Sequence, residues 1–129
     1  MWLRLSCLIV MLLLGACSDR CVNAVRASAA SPDGGHEAVR FQRDCGATTG
    51  FSTHISVLST GDQPSGTANV FVADDDHGAA ETTAGEGPWA EAAWLSRDTL
   101  LIRYDAAARV FKQETTVGGV TILYEPVVR

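Results

Sequence analysis

The chain has very little lysine, no apolar run long enough to span a membrane and no recurring helical pattern. Lys112 is the only lysine among ten basic residues, which face fifteen acidic ones. The resulting net charge of −5 argues against nucleic acid and anionic lipid head groups as partners, because both attract basic surfaces. No Walker, dinucleotide-binding or G-x-S-x-G motif occurs. We therefore expect no cofactor and favour a protein that is not an enzyme.

The first 16 residues are typical of a secretory signal peptide. Arg4 is followed by an apolar run from Leu5 to Leu14 and by two small residues before Cys17. This run has about half the roughly 20 residues of a membrane-spanning helix, so it should direct export rather than anchor the chain. Removal of residues 1–16 takes away one positive charge, that of Arg4, which changes the net charge from −5 to −6. The 113 residues left from 129 have the size of one domain.

Residues 14–17, LGAC, resemble the bacterial lipobox, with Gly15 where Ala, Ser or Thr is more common. The resemblance implies that Cys17 carries diacylglycerol and becomes the new N-terminus. Two or more acyl chains give stable membrane attachment. We therefore expect a bacterial envelope lipoprotein that faces the periplasm or the cell surface. Ser18 follows the cysteine and Asp19 comes one place later, which slightly favours the outer membrane. An ordinary secretory signal is the alternative.

The clearest turn signal is SPDGG, Ser31 to Gly35. Pro32 presets φ and Asp33-Gly34 suits the tight corner of a hairpin, so strands should flank it. Apolar and polar residues alternate on both sides, which is the period of half-buried strands. The apolar members of this alternation are Val25, Ala27 and Ala29 before the turn and Val39 and Phe41 after it.

Further β-rich segments follow along the chain. They are FSTHISVL (51–58), NVFVA (69–73), PWAEAAWL (88–95), TLLIRY (99–104), RVFKQETTV (109–117) and GVTILY (119–124). NVFVA suits a central strand, and PWAEAAWL is better explained as a strand than as a two-turn helix. Short connections indicate antiparallel neighbours, and Pro126 should end the last strand or lie at an edge. We predict a tether at residues 17–24 and one mainly β domain at residues 25–129. It should contain about seven antiparallel strands in a meander, a small sandwich or barrel, or a propeller-blade-like sheet.

Residues 74–87, DDDHGAAETTAGEG, contain no lysine or arginine, and we predict a flexible acidic loop. The segment from Asp74 to His77 would attract a divalent cation. Three consecutive acids on an extended chain point in different directions and lack the spacing of a calcium loop. Further ligands would have to come from Glu81, Glu86, His36 or His54. We therefore predict no metal site, with cation binding by this loop as an alternative.

Side chains suited to hydrolysis are present without a recognisable arrangement. They include Ser52, Ser56, His36, His54, His77 and several aspartates. A catalytic triad is defined by geometry in space rather than by composition. We therefore predict no catalytic residue, with a hydrolase of envelope polymers as the alternative function.

Cys45 stands in FQRDCGATTG, residues 41–50. Export removes Cys7 and lipidation consumes Cys17, so Cys21 and Cys45 remain as two thiols in an oxidising compartment. An even number favours a disulfide between them. Antiparallel strands about 4.8 Å apart can provide the roughly 5.5 Å Cα separation that the bond requires. Two separate thiols, or a reactive or metal-binding Cys45, are the alternatives.

The stretch from Ser31 to Leu58 resembles a group of small bacterial lipoproteins of unknown function that carry SPDGK, a charged residue before CGATT, and a following strand. Gly35 stands where that group usually has lysine. Weaker similarities occur at NVFV and WLSRDTLLIRY. The resemblance covers about a quarter of the chain and implies an envelope location and a β fold. It implies no activity and no catalytic residue.

These observations favour a lipid-anchored, non-enzymatic domain that contacts an envelope protein or polymer. The sheet edges, the Thr48-Thr49 loop and Trp89 are candidate contact features. A hydrolase would show a deep cleft with converging histidines and carboxylates, and a metal-binding lipoprotein would use the acidic loop.

Overall fold

The computed structural model of the protein describes residues 20–46, 50–83 and 85–129. These ranges contain nine strands and no helix, which confirms the all-β prediction with more strands than the seven or so expected. The strands are β1 (Val22–Ala30), β2 (His36–Asp44), β3 (Ser52–Ser59), β4 (Phe71–Asp74), β5 (Ala90–Ser96), β6 (Thr99–Asp105), β7 (Arg109–Gln113), β8 (Thr116–Val117) and β9 (Val120–Val127). The predicted lipidation site Cys17 and the Thr48-Thr49 loop lie outside the described residues.

The strands form two sheets that pack face to face as a sandwich and do not close into a barrel. Sheet A has the order β1-β2-β3-β4-β7, and sheet B has the order β5-β6-β9-β8. Only Glu114 and Thr115 separate β7 from β8, so the predicted segment RVFKQETTV is two strands in different sheets. The chain crosses between the sheets on that side. On the other side, the edge strands β1 and β5 are linked by a hydrogen bond of 2.8 Å from Trp94 Nε1 to the Ala29 carbonyl.

The hydrophobic core lies between the two sheets. Its largest buried side chains are Ile55 and Phe71 from sheet A and Leu100, Ile102 and Ile122 from sheet B. Full burial of such a side chain contributes roughly 1.5–3 kcal/mol to stability. A smaller cluster of Val39, Phe41 and Ala68 covers the outer face of sheet A. Sheet A is therefore packed on both faces.

The first hairpin confirms the turn prediction. The Gly34 N–H donates to the Ser31 carbonyl at 2.8 Å. Gly34 has a φ of 73°, a left-handed conformation that glycine adopts without steric cost. Asp33 accepts hydrogen bonds from Ser31 Oγ at 2.7 Å and from the Gly35 N–H at 3.1 Å. These bonds lower the pKa of the Asp33 carboxyl and hold the turn in shape.

A β-bulge interrupts the pairing of β1 with β2. Val25 pairs with Phe41 and Ala27 pairs with Arg40, so Arg26 is an extra residue in β1. The prediction that Val25 and Ala27 share one face is therefore wrong, because the bulge shifts the alternation by one residue. Val25 lies on the outer face with Phe41, whereas Ala27 lies on the inner face with Arg40.

One pair of strands is parallel. β6 pairs in parallel with β9. The short connection at residues 106–108 leads out of sheet B into β7 of sheet A, so β7 is not the sheet neighbour of β6. The expectation of antiparallel neighbours across this connection is therefore wrong. Pro126 lies within β9, beyond the part that pairs with β8. This part of β9 is a local edge, as the missing N–H of proline requires.

The predicted central and C-terminal strands are largely in place. β4 lies between β3 and β7, with Phe71 and Ala73 fully buried and Val72 half-buried. Before β4, the Asn69 side chain accepts from the Val57 N–H and donates to the Val57 carbonyl, both at 2.9 Å. β5 pairs with β6, which confirms the strand interpretation of PWAEAAWL.

Candidate functional site

Cys21 and Cys45 are joined by a disulfide bond, as predicted, with an Sγ–Sγ distance of 2.11 Å. The pairing of β1 with β2 ends one residue short of each cysteine, so the bond continues the same register. The extra residue Arg26 sets this register. The bond uses both sulfur atoms, so Cys45 acts here as a structural cross-link and not as a nucleophile or metal ligand.

Ser52 and His54 lie on β3, and Ser52 Oγ is 2.8 Å from His54 Nε2. The Ala68 N–H donates to His54 Nδ1 at 3.1 Å, so Nδ1 is the acceptor and Nε2 carries the proton of the neutral ring. Ser52 Oγ therefore accepts from Nε2–H and donates to the Arg43 carbonyl at 3.4 Å. The hydrogen bonds run in one direction, from Ala68 through His54 and Ser52 to the main chain of Arg43.

This direction opposes a nucleophilic role for Ser52. A general base must accept the proton of the serine hydroxyl, whereas the His54 nitrogen that faces Ser52 is a donor. Burial, helped by the charges of Arg43 and Lys112, lowers the pKa of His54 to about 4. The ring also stacks on Phe41 with a centroid distance of 5.1 Å. The Ser52-His54 pair therefore has a structural part, which is to stabilise the outer face of sheet A.

The other predicted polar candidates do not converge. His36 contacts Trp94 between the sheets, with ring centroids 6.5 Å apart, whereas His54 lies on the opposite face of sheet A. Ser56 Oγ accepts a hydrogen bond from the Asn69 N–H at 3.2 Å. Across the described ranges, no three His, Cys, Asp or Glu side chains come together in a way that could hold a metal ion.

The acidic loop begins with a carboxylate that is already paired. Arg109 Nε and Nη2 donate to the two oxygens of Asp74 at 3.1 and 2.6 Å. These bonds are the main reason why the pKa of Asp74 is lowered. Asp76 and His77 follow with φ values of 51° and 57°. Asp and His tolerate this left-handed conformation better than most residues.

A cleft of about 400 Å³ opens beside this loop. It is lined by Gly50, Ser52, Val72, Asp74, Asp75, His77, Arg109 and Phe111. Arg109 pairs with Asp74 and also lies over the Phe111 ring, 4.9 Å from its centroid. The Arg109 guanidinium, which is the basic group of this cleft, is therefore already paired with Asp74 and the Phe111 ring.

A second cleft, of about 360 Å³, lies where the segment before β5 approaches the inner face of β2. Arg40, Glu81, Thr82, Thr83, Glu86, Gly87, Trp89 and Arg129 line it, and we call it the Arg40 cleft. Two hydrogen bonds of 2.6 Å fix the segment at the base of this cleft. The Gly87 N–H donates to Gln42 Oε1, and Thr53 Oγ1 donates to the Pro88 carbonyl. A Cβ atom at Gly87 would lie 2.7 Å from the Thr53 nitrogen, so only glycine allows this approach.

Arg40 differs from the other half-buried basic residues of this surface. It pairs across the ladder with Ile55, whose side chain belongs to the core, so Arg40 projects from the inner face of sheet A. Within the described part of the chain its guanidinium has no ion pair and no hydrogen bond. Arg103, by contrast, contacts Glu91 at 3.0 Å and Glu125 at 3.4 Å. The five N–H donors of the Arg40 guanidinium are therefore available to an acceptor from outside the described chain.

Trp89 forms one wall of the Arg40 cleft. The guanidinium of Arg129 lies 4.6 Å from the Trp89 ring centroid, and that of Arg103 lies 5.9 Å from it. A guanidinium stacked on an aromatic ring keeps its edge N–H groups available for hydrogen bonds. The cleft therefore presents two guanidinium groups, one of them held in place by an aromatic ring.

The sequence singled out Trp89 as a contact feature and Glu81 and Glu86 as possible metal ligands, but it did not single out Arg40. Arg40 alternates with the buried residues Val39 and Phe41, which is typical of a solvent-facing position. In the sandwich both faces of β2 are covered, and the Arg40 face meets the opposite sheet. No local signal distinguishes these two arrangements.

Comparisons with protein-family models, curated proteins and solved structures give no significant match. In the part of the chain that the structure describes, no helix has the length and apolar character needed to cross a bilayer.

Proposed function

We propose that the protein is a lipid-anchored component of the bacterial envelope whose β domain binds an envelope molecule without catalysing a reaction. We further propose that the Arg40 cleft is the binding site. The membrane contact is the lipid on Cys17, and the partner is an envelope protein or polymer that reaches the domain from the periplasm or the cell surface.

The main support for this binding site is that the guanidinium of Arg40 lacks a partner within the described residues. Arg40 is a half-buried residue that lines the cleft, and its guanidinium has no hydrogen bond or ion pair with the described chain. The N–H donors of this guanidinium therefore have no acceptor in the described chain, and an external carboxylate would supply one. The cleft also has a fixed floor, so little of it needs to be ordered when a ligand binds.

Two observations support a non-enzymatic role in the envelope. The disulfide between Cys21 and Cys45 is a bond typical of exported proteins. The Ser52-His54 pair, the clearest arrangement for nucleophilic chemistry, has the wrong donor direction for that use. No observation favours the hydrolase or the metal-binding alternative over the binding domain.

The proposal is tested by photo-cross-linking in cells that express the full chain. A photoreactive residue at Thr82 lies in the Arg40 cleft, and one at the exposed Leu123 on sheet B is the matched control. We expect adducts from position 82 that disappear when Arg40→Gln is added, and none that depend on Arg40 from position 123. Adducts from position 82 that persist with Arg40→Gln, or no adducts there, would contradict the proposal.

A further inference from the structure

We propose that the Arg40 cleft recognises, on the envelope partner, a single carboxylate attached to a short apolar chain. The carboxylate contacts Arg40 and Arg129, and the apolar chain lies in the neighbouring groove between β1 and β5. This inference rests on the proposed function, because it names the ligand class of the same cleft. Three observations support it: the hydrogen-bond donors of the cleft, the charge balance of its lining side chains and the apolar lining of the adjoining groove.

The donors suit a planar anion. Arg40 and Arg129 are the two basic residues of the lining. Guanidinium groups bind carboxylates through two parallel N–H···O bonds, which a single ammonium group does not provide. The Arg129 guanidinium stacks on the Trp89 ring, 4.6 Å from the ring centroid. This stacking leaves the N–H groups at the edge of the guanidinium available to a ligand. Thr82 also lines this space.

The charge balance favours one negative charge over two. Glu81 and Glu86 line the cleft together with the two arginines, so the formal charges of the lining side chains sum to zero. Glu86 lies 3.8 Å from Arg26 and accepts from Thr83 Oγ1 at 3.2 Å, which keeps it close to the cleft. A doubly charged phosphate would be repelled by both carboxylates, whereas a monocarboxylate meets less repulsion.

The groove beside the cleft supplies the place for an apolar chain. A space of about 230 Å³ adjoins the cleft and shares Arg40 with it. Its other lining residues are Ala27, Ser28, Ala29, Ala38, Glu91 and Ala92. Arg40 therefore lies at the boundary between a polar space and a largely apolar one. A ligand with a carboxylate at one end and methylene groups at the other matches this order.

The test is calorimetric titration of the full chain, purified in a non-ionic detergent, with hexanoate, acetate and inorganic phosphate at pH 7. Titration of the same ligands into detergent alone corrects for partitioning into micelles. We expect hexanoate to bind more tightly than acetate, and phosphate to bind most weakly. Arg40→Gln should weaken hexanoate binding about tenfold or more, because a charge-assisted bidentate contact is lost.

Arg97→Gln is the matched control, because Arg97 is exposed in the β5–β6 turn, far from the cleft lining. Arg129→Gln is a second cleft variant at an exposed position after β9, so it keeps the test valid if Arg40→Gln does not fold.

Hexanoate affinity unchanged in both cleft variants, or phosphate binding tighter than hexanoate, would overturn the inference. If hexanoate fails to bind while cross-linking at position 82 still depends on Arg40, the ligand class is wrong and the binding site stands. If cross-linking at position 82 does not depend on Arg40, the proposed function itself is wrong.

Discussion

At the scale of single residues, His54 takes the place of a main-chain hydrogen-bond partner. Its Nδ1 accepts from the Ala68 N–H, which otherwise would be buried without an acceptor. Its Nε2–H is satisfied by Ser52 Oγ. A protonated ring would have to break the bond with Ala68, because both nitrogens would then be donors. The neutral ring is therefore part of the folded state.

The pH dependence of stability follows from the pKa of His54. That pKa is about 4 in the folded protein and about 6.5 in a free side chain. As the pH falls below 6.5, the unfolded chain takes up a proton that the folded state does not, so stability decreases. Between pH 7 and pH 5 we expect a loss of about 2 kcal/mol from this residue, measured by denaturant unfolding.

His54→Gln should remove this part of the pH dependence, and wild-type protein measured in parallel is its reference. NMR titration of the imidazole gives a direct reading that does not depend on the variant. A His54 ring that titrates near pH 6.5 in the folded protein would contradict the hydrogen-bond arrangement.

At the scale of structural elements, the β1–β2 hairpin combines three local devices. The SPDGG turn closes one end, and the disulfide closes the other. Between them, the bulge at Arg26 shifts the register by one residue. Without that shift Cys21 would face Gly46 and not Cys45. The cross-link therefore depends on an irregular residue in the middle of an edge strand.

The disulfide should stabilise the domain by about 3 kcal/mol, because it closes a loop with a sequence separation of 24 residues in the unfolded chain. Cys21→Ser, Cys45→Ser and the double variant should all lose a similar amount in non-reducing unfolding experiments, since each removes the same bond. Mass spectrometry of alkylated, non-reduced protein checks the bond itself. Losses that add up in the double variant, or two alkylatable thiols in the wild type, would contradict this account.

At the scale of the whole molecule, the two sides of the sandwich differ. On one side β7 continues into β8 and connects the sheets covalently. On the other side β1 and β5 are edges, and alanines there leave the groove that adjoins the Arg40 cleft. The first described residue, Arg20, lies directly before the disulfide, so a lipid on Cys17 would hold the domain close to the membrane.

The lipid anchor is tested with Cys17→Ser. We expect this variant to lose labelling by radioactive palmitate and to leave the membrane fraction, because the lipid is the only proposed attachment. Cys7→Ser is the matched control, since this cysteine lies within the predicted signal peptide and should leave labelling unchanged. Labelling and membrane association that survive in Cys17→Ser would contradict the lipobox interpretation.

The sequence alone determined the features that depend on neighbouring residues. The SPDGG turn rests on the φ preferences of Pro32 and Gly34, and strand positions follow from a period of two. Pairing of Cys21 with Cys45 also follows from counting the cysteines that remain if the chain is exported and lipidated as proposed. These signals are local or compositional, so they are readable without knowledge of the fold.

Tertiary structure alone decided which face of each strand meets the other sheet. Alternation shows that Arg40 and Val39 point in opposite directions, but not that both directions are covered. The bulge at Arg26, the parallel pairing of β6 with β9 and the approach of Gly87 to Thr53 all join residues distant in sequence. Such contacts depend on the packing free energy of the whole domain, which no short window of sequence contains. The Arg40 cleft arises from these contacts, and so it becomes visible only in the folded protein.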